Sequence, residues 1–245
     1  KQFREEISPY FNANPKKYIS ALVSEDCWQA TPGKVVDLVR NLGIAAGGTV
    51  MEDCRVLEAC REGKYTSVLV QTHDKKYVEY RTEHFVNALG SGAGKLCDSM
   101  GIDAGLYPVR HQAFITRRLP MLGKHGTNLD MLIDRQDYKG FSAVYGQQIA
   151  YTGQIIGCAS PKLDAMRIDK NLKVNTKAFL EIVSEMFSEW IPDLAGVGIQ
   201  AVWAGYYTEP RYIVDPELGL FVGMCGHGFM LSQYIARMYV DKLLG

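Results

Sequence analysis

Gly223-Met224-Cys225-Gly226-His227-Gly228-Phe229 is the stretch on which the reading of this chain turns. An apolar run over 218–224 enters it as a strand, and three glycines interrupted by His227 turn it. A helix over 229–244 leaves it, with Met230, Leu231, Tyr234, Ile235, Met238 and Leu243 on its apolar positions. A buried strand that turns through glycines into a helix offers free amides and a positive helix end to an anionic or electron-rich ligand. The same spacing also fits a plain structural turn that carries an exposed histidine.

A second strand–glycine junction lies upstream. His84–Leu89 reads as an apolar strand and runs into Gly90-Ser91-Gly92-Ala93-Gly94-Lys95. Gly90 and Gly94 are too close for a phosphate loop of the nucleotide-triphosphate kind, and Leu96 stands where magnesium would need a hydroxyl. Lys95 also breaks the G-x-G-x-x-G pattern. Two readings remain open: a tight strand-to-helix turn, or backbone amides closing on a cofactor's phosphate or sugar.

Between and around these junctions the hydrophobic period alternates between helix and strand. Residues 1–29 read as an irregular connector punctuated by prolines. Val35, Val36, Leu38, Val39, Leu42 and Ile44 recur at helical spacing until Gly47-Gly48. Strands are predicted over 50–59, then over 67–72 and 77–82 as a hairpin turned at His73-Asp74-Lys75-Lys76. Further strands over 107–117, 129–134, 141–150 and 154–159, the last two flanking Tyr151-Thr152-Gly153, predict an antiparallel sheet able to carry a binding face. An amphipathic helix with Phe179, Leu180, Val183, Met186, Phe187 and Trp190 on one stripe stops at Pro192, and a strand over 199–204 follows. The fold class is mixed α/β (α+β).

Composition narrows the function classes. The 245 residues carry 27 basic and 27 acidic side chains, which leaves no net charge to serve as the electrostatic footprint of a nucleic-acid binder. No apolar run approaches the roughly 20 residues of a membrane span. The six cysteines, at 27, 54, 60, 97, 158 and 225, form no C-x-x-C pair, and the five histidines form no H-x-x-x-H pair. No metal site is expected, and free thiols suit a reducing, cytoplasmic location.

Two clusters draw attention for chemistry. Trp203-Ala204-Gly205-Tyr206-Tyr207 places aromatics beside a glycine at an expected strand end, which suits core packing or a substrate cage. Pro108-Val109-Arg110-His111-Gln112 sets two cationic groups and an amide in an apolar strand, either at the surface of its edge or facing a polar pocket.

Taken in order, Thr31–Val36, Gly48–Leu57, Phe85–Gly90, Pro108–Gln112, Gln154–Gly157 and Gly226–Phe229 resemble the FAD-dependent D-amino-acid oxidase, sarcosine oxidase and glycine oxidase family. The resemblance implies part of a Rossmann-like FAD-binding domain, over 30–105 and 195–245, plus an antiparallel-sheet substrate domain over 106–194. It places Val56 at the adenine edge. Asn87, Ala88 and Gly90 would lie near the phosphates and ribityl chain, and Gly226, His227, Gly228 and Phe229 against the isoalloxazine. Tyr145, Tyr206, Tyr207 and His111 would face the substrate. The implied reaction is oxidation of the CH–NH bond of an amino acid or secondary amine, such as sarcosine, glycine or proline, by hydride transfer to flavin N5. No residue is nominated as a catalytic nucleophile. The alternatives are oxidation of a hydroxy acid or glycerol phosphate, and a non-catalytic flavin-family binding subunit.

The chain departs from the family at three positions. Gly92 stands where a tryptophan is usual, Tyr207 where amino-acid oxidases carry arginine, and Met230 where several sarcosine oxidases carry lysine. Arg110 and Arg211 are the cations left to hold a carboxylate. The family's opening strand, G-x-G-x-x-G turn and helix are not among these residues. The expected partners are therefore a small amine or amino acid, a missing amino-terminal segment or a polypeptide that supplies it, and a further copy in an oligomer.

Overall fold

The computed structural model describes residues 10–122 other than 13, 15, 19 and 25, together with 129–136, 140–149, 152–161, 176–209 and 212–245. Tyr151, expected in a turn, and Arg211, one of the two cations left to hold a carboxylate, lie outside the described residues.

Along the chain run α1 (Pro32–Ala45), β1 (Arg55–Glu62), β2 (Tyr65–Gln71), β3 (Tyr77–Thr82), α2 (Ala93–Ser99) and β4 (Tyr107–Thr116). Then come β5 (Leu132–Asp134), β6 (Phe141–Ile149), β7 (Gln154–Pro161), α3 (Thr176–Trp190), β8 (Ile199–Glu209), β9 (Ile213–Asp215), β10 (Leu220–Val222) and α4 (Gly228–Leu244). They divide between two units: Lys1–Leu22 with Pro108–Tyr206, and Val23–Tyr107 with Tyr207–Gly245.

The first unit holds a five-stranded sheet in the order β5-β6-β7-β4-β8, antiparallel from β5 through β4. The apolar stripe expected on α3 is real: Phe179, Val183, Met186, Phe187 and Trp190 are all buried. They pack with Phe114 and Phe141 into an aromatic core, in which Phe114 meets Phe187 edge-on at 5.3 Å. Room for those rings comes from two strand glycines. Gly146, Gly157 and Phe114 form one cross-strand row, and a Cβ on Gly146 would stand 2.2 Å from Phe187 Cζ. A Cβ on Gly157 would stand 2.4 Å from Phe114 Cε1. The segment before α1 is tied to this core: the Tyr18 hydroxyl donates to Asp134 Oδ2 at 2.7 Å and accepts from Trp190 Nε1 at 3.1 Å. Burial and the neighbouring Asp134 push the Tyr18 hydroxyl's pKa well up, so it stays a donor.

The second unit contains the three-stranded antiparallel sheet β1-β2-β3. Its β2–β3 hairpin turns at 72–76, with Lys75 in the left-handed region at φ 63°. Ala59, Val68 and Val70 pack with Leu96 of α2, and the Ala59 amide donates to Ser99 Oγ. The strand expected over 84–89 is reduced to a single parallel bridge between Asn87 and Leu220. The last strand is shorter than its apolar run predicts, covering only Leu220–Val222, and pairs with the unanticipated β9. Strand β8 is longer than predicted and carries Trp203, Tyr206 and Tyr207 within it rather than at its end. Helix α1 forms as its periodicity predicts but buries none of its residues.

Candidate functional site

In the second unit the candidate residues gather around two backbone junctions. Asn87 is buried and spends its side chain on the chain itself. Its Nδ2 donates to Ala93 O at 3.1 Å, and its Oδ1 accepts from the Leu89 amide at 3.2 Å. That geometry turns the backbone at Ala88-Leu89 and starts a single 3₁₀ turn over Gly90–Gly92 ahead of α2. Gly90 sits at φ 54°, where a Cβ would meet nothing within 4 Å, so its conformation and not crowding calls for glycine. Ala88, Leu89 and Gly90 are exposed.

The second junction is the 223–228 turn. Gly223, Cys225 and Gly226 all have positive φ, at 74°, 46° and 80°. Gly226 is required twice over. Its φ disfavours any side chain, and a Cβ there would stand 2.2 Å from Cε2 of Tyr207. The turn is held to β8 by the Cys225 amide, which donates to Thr208 O at 3.2 Å. Burial, reinforced by Glu209, pushes the Cys225 thiol up and keeps it protonated.

Helix α4 starts from this turn with His227 at its N-cap and no side-chain cap. The first intrahelical bond runs from the Leu231 amide to His227 O at 3.0 Å. Among the described residues no acceptor takes the amides of Gly228, Phe229 or Met230. His227 is exposed, and its ring stands 6.1 Å from that of Tyr212. The arrangement therefore offers three N–H donors and a positive helix end beside a glycine cradle.

Val56 lies apart from these junctions, in β1 opposite Val70, where the ladder is bulged between Val56 and Glu58. Strand β1 is an edge of its sheet, so alternate backbone groups face away from β2.

In the first unit, strand register sorts the substrate-side candidates. Tyr145 stands opposite Cys158, and Cys158 opposite Ala113, on the face turned away from α3. His111, two residues before Ala113, shares that face. Burial lowers the His111 pKa from 6.5 to about 4, so the imidazole is neutral at physiological pH. The Cys158 thiol is pushed up by burial, with the Tyr145 hydroxyl working against that shift. Arg110 and Gln112 alternate to the other face, the one that carries Phe114, and both are buried rather than at the surface of an edge. Arg110 therefore does not share a face with His111 and Tyr145. Tyr206 and Tyr207 are consecutive in β8 and project to opposite sides of that strand. A groove of about 780 Å³, lined by Phe114, Thr116, Leu180, Phe187 and Ile199, contains none of the candidate residues.

The sequence offered Gly157 only as the end of a resembling stretch and did not single out Gly146, yet their missing side chains make room for the core rings behind Tyr145 and Cys158. A glycine inside a strand was the available signal. Among the described residues no group of histidine, cysteine and carboxylate side chains could hold a metal.

Comparison with known proteins gives this geometry a context. Residues 3–242 match the family described as FAD dependent oxidoreductase (DAO). The structure is similar to that of L-proline dehydrogenase from P. horikoshii, with a TM-score of 0.66 and 25% identity over 86% of this chain and 54% of that one. It is similar in fold to glycine oxidase from Geobacillus kaustophilus, with a TM-score of 0.61 and 19% identity over 82% and 50%. It is also similar in fold to the glycerol-3-phosphate dehydrogenase from Bacillus halodurans complexed with FAD, with a TM-score of 0.59 and 14% identity over 82% and 40%. The chain thus spans about half the length of the solved structures it matches. No curated protein matches it in sequence.

Proposed function

The chain belongs to the FAD-dependent oxidoreductase family, and from that membership we propose that it serves in the oxidation of the CH–NH bond of an amino acid or secondary amine. The observation that carries this reading is the 223–228 turn, with Gly226 packed against the Tyr207 ring and three amides at the start of α4 that no acceptor among the described residues takes. The residues present fit a flavin there. N–H donors at the start of α4 that no acceptor among the described residues takes suit the electron-rich edge of a flavin. The FAD-binding portions on this reading are 30–105 and 195–245, and the substrate domain is 106–194.

When bound, FAD supplies the acceptor for a hydride equivalent. Gly226, His227, Gly228 and Phe229 would hold the ring beside the α4 amides. Asn87, Ala88 and Gly90 would lie on the phosphate and ribityl side, and Val56 would offer backbone groups to the adenine. Tyr145, Tyr206, Tyr207 and His111 are assigned to substrate. A neutral His111 neither repels a cationic amine nor clamps a carboxylate by charge, which favours recognition of the amine end. The kinship to an L-proline dehydrogenase, at 25% identity, supports a secondary amine as the substrate class.

A cytoplasmic location is part of the same proposal, supported by six free cysteines. Among the described residues no helix is long and apolar enough to cross a membrane.

The test is an anaerobic titration of the flavin-loaded protein with proline, sarcosine, a 2-hydroxy acid and glycerol phosphate. Bleaching of the flavin bands by a secondary amine alone is the expected result. Bleaching by the hydroxy acid or glycerol phosphate alone transfers the assignment to alcohol oxidation, and a flavin that no substrate bleaches removes the redox role.

A further inference from the structure

The face of the five-stranded sheet turned away from α3 is half open, yet one residue on it is covered. Strand register sets Ile133, Tyr145, Cys158 and Ala113 in a single row across β5, β6, β7 and β4. Ile133 is 53% exposed, and Tyr145 and Ala113 are half-buried, whereas Cys158 between the last two is 7% exposed. Ala113 carries only a methyl. The larger neighbour in the row, Tyr145, is the one able to cover the thiol.

Hydrogen bonding agrees with that cover. Directly opposed residues of a ladder hold their Cβ atoms about 4.5–5.5 Å apart, less than the reach of a tyrosine from Cβ to hydroxyl. The Tyr145 hydroxyl donates to the Cys158 sulfur, so the ring leans across β7 and lies along the face. The thiol's own proton is directed at Ala159 O, 3.8 Å from the sulfur, which leaves the sulfur lone pairs for the hydroxyl. The backbone beneath the pair is fixed on both sides. The β6–β7 ladder is bulged between Ser142 and Tyr145, a device that re-aims a side chain. The next pair, Gly146 opposite Gly157, is closed from behind by the rings of Phe187 and Phe114.

We infer that Cys158 is a positioning residue for Tyr145: it holds the ring flat along the sheet, so that a substrate meets the face of the ring and not its hydroxyl. The inference rests on the amine-oxidation reading, which assigns Tyr145 to substrate. A ring already in place before substrate arrives spares the cost of ordering it, so losing the hold weakens binding and leaves the chemical step alone.

The test compares Cys158→Val, Cys158→Ser and Tyr145→Phe with the parent. Cys158→Val removes the acceptor, and a hydroxyl left over an apolar group turns to water. Cys158→Ser restores an acceptor, and Tyr145→Phe deletes the donor while keeping the ring. On the protein as isolated, before any amine is added, nuclear Overhauser transfer from the Tyr145 ring to the side chain at 158 is strong in the parent and in Cys158→Ser, and falls about fivefold in Cys158→Val. In the flavin-loaded protein Cys158→Val and Tyr145→Phe each raise KM for proline about fivefold with kcat held within about twofold, while Cys158→Ser keeps the parent's KM. The inference is overturned if the ring contact persists in Cys158→Val, if neither variant moves KM, if kcat falls in place of a rise in KM, or if Cys158→Ser behaves like Cys158→Val. The expected ring contacts in a protein whose flavin no amine bleaches support the hold on Tyr145 and overturn the amine reading instead.

Discussion

The ring of Tyr207 occupies the place of the side chain that Gly226 lacks. A Cβ at Gly226 would stand 2.2 Å from Cε2 and 2.8 Å from Cζ, and the residue's φ of 80° already disfavours one. Two independent constraints therefore meet at one position of the turn that launches α4.

Gly226→Ala is expected to destabilise the protein by about 1–3 kcal/mol, from backbone strain and the clash together. Adding Tyr207→Ala removes the clash but not the strain, so the double variant should be more stable than the sum of the two single losses. Urea unfolding of all four proteins measures that coupling.

Asn87 bonds the Ala93 carbonyl and the Leu89 amide from a buried position. Asn87→Asp keeps the acceptor and sets an oxygen against the Ala93 carbonyl, while Asn87→Ala abandons both partners. Each should cost about 1–3 kcal/mol in chemical denaturation. Each should also weaken flavin retention, read by fluorescence after gel filtration.

His111 makes stability depend on pH in a defined direction. Its folded pKa, about 4, lies below the ordinary 6.5, so between those values the unfolded chain binds more protons than the folded one. Stability should then rise with pH from about 4 to 6.5 and fall as acid is added, by at most about 3 kcal/mol from this group. His111→Gln should flatten that part of the profile.

Gly146→Ala should overpack the aromatic core, because the new Cβ meets Phe187 Cζ at 2.2 Å. A loss of about 1–3 kcal/mol is expected. Adding Phe187→Leu should recover part of it, as thermal unfolding of the two variants will show.

Much of the fold was legible because its signals are local. The β2–β3 hairpin announced itself by alternation around a polar four-residue turn, and α1, α3 and α4 by their period. Features set by distant neighbours were not legible. β8 runs five residues past Ala204, the end its sequence suggested, because a glycine at 205 does not stop a strand that is paired. The apolar 84–89 run forms only a bridge, with a partner on one side alone among the described residues. The apolar stripe of α1 gave no hint that none of it would be buried. Of the candidate site, the glycines at 90 and 226 were visible in sequence. The contact that fixes Gly226 was not, since Tyr207 lies nineteen residues away and reaches it only through the return of β8. Nor could composition place Arg110 and His111 on opposite faces of β4, which takes the strand's register.

The central claim is that this chain forms part of a flavin enzyme acting on amines. It is tested most directly by the visible spectrum of the native protein under anaerobic conditions, before and after a secondary amine is added. The account predicts flavin bands that bleach with proline or sarcosine and persist with a 2-hydroxy acid. A colourless protein, or a yellow one that neither amine bleaches, would contradict it.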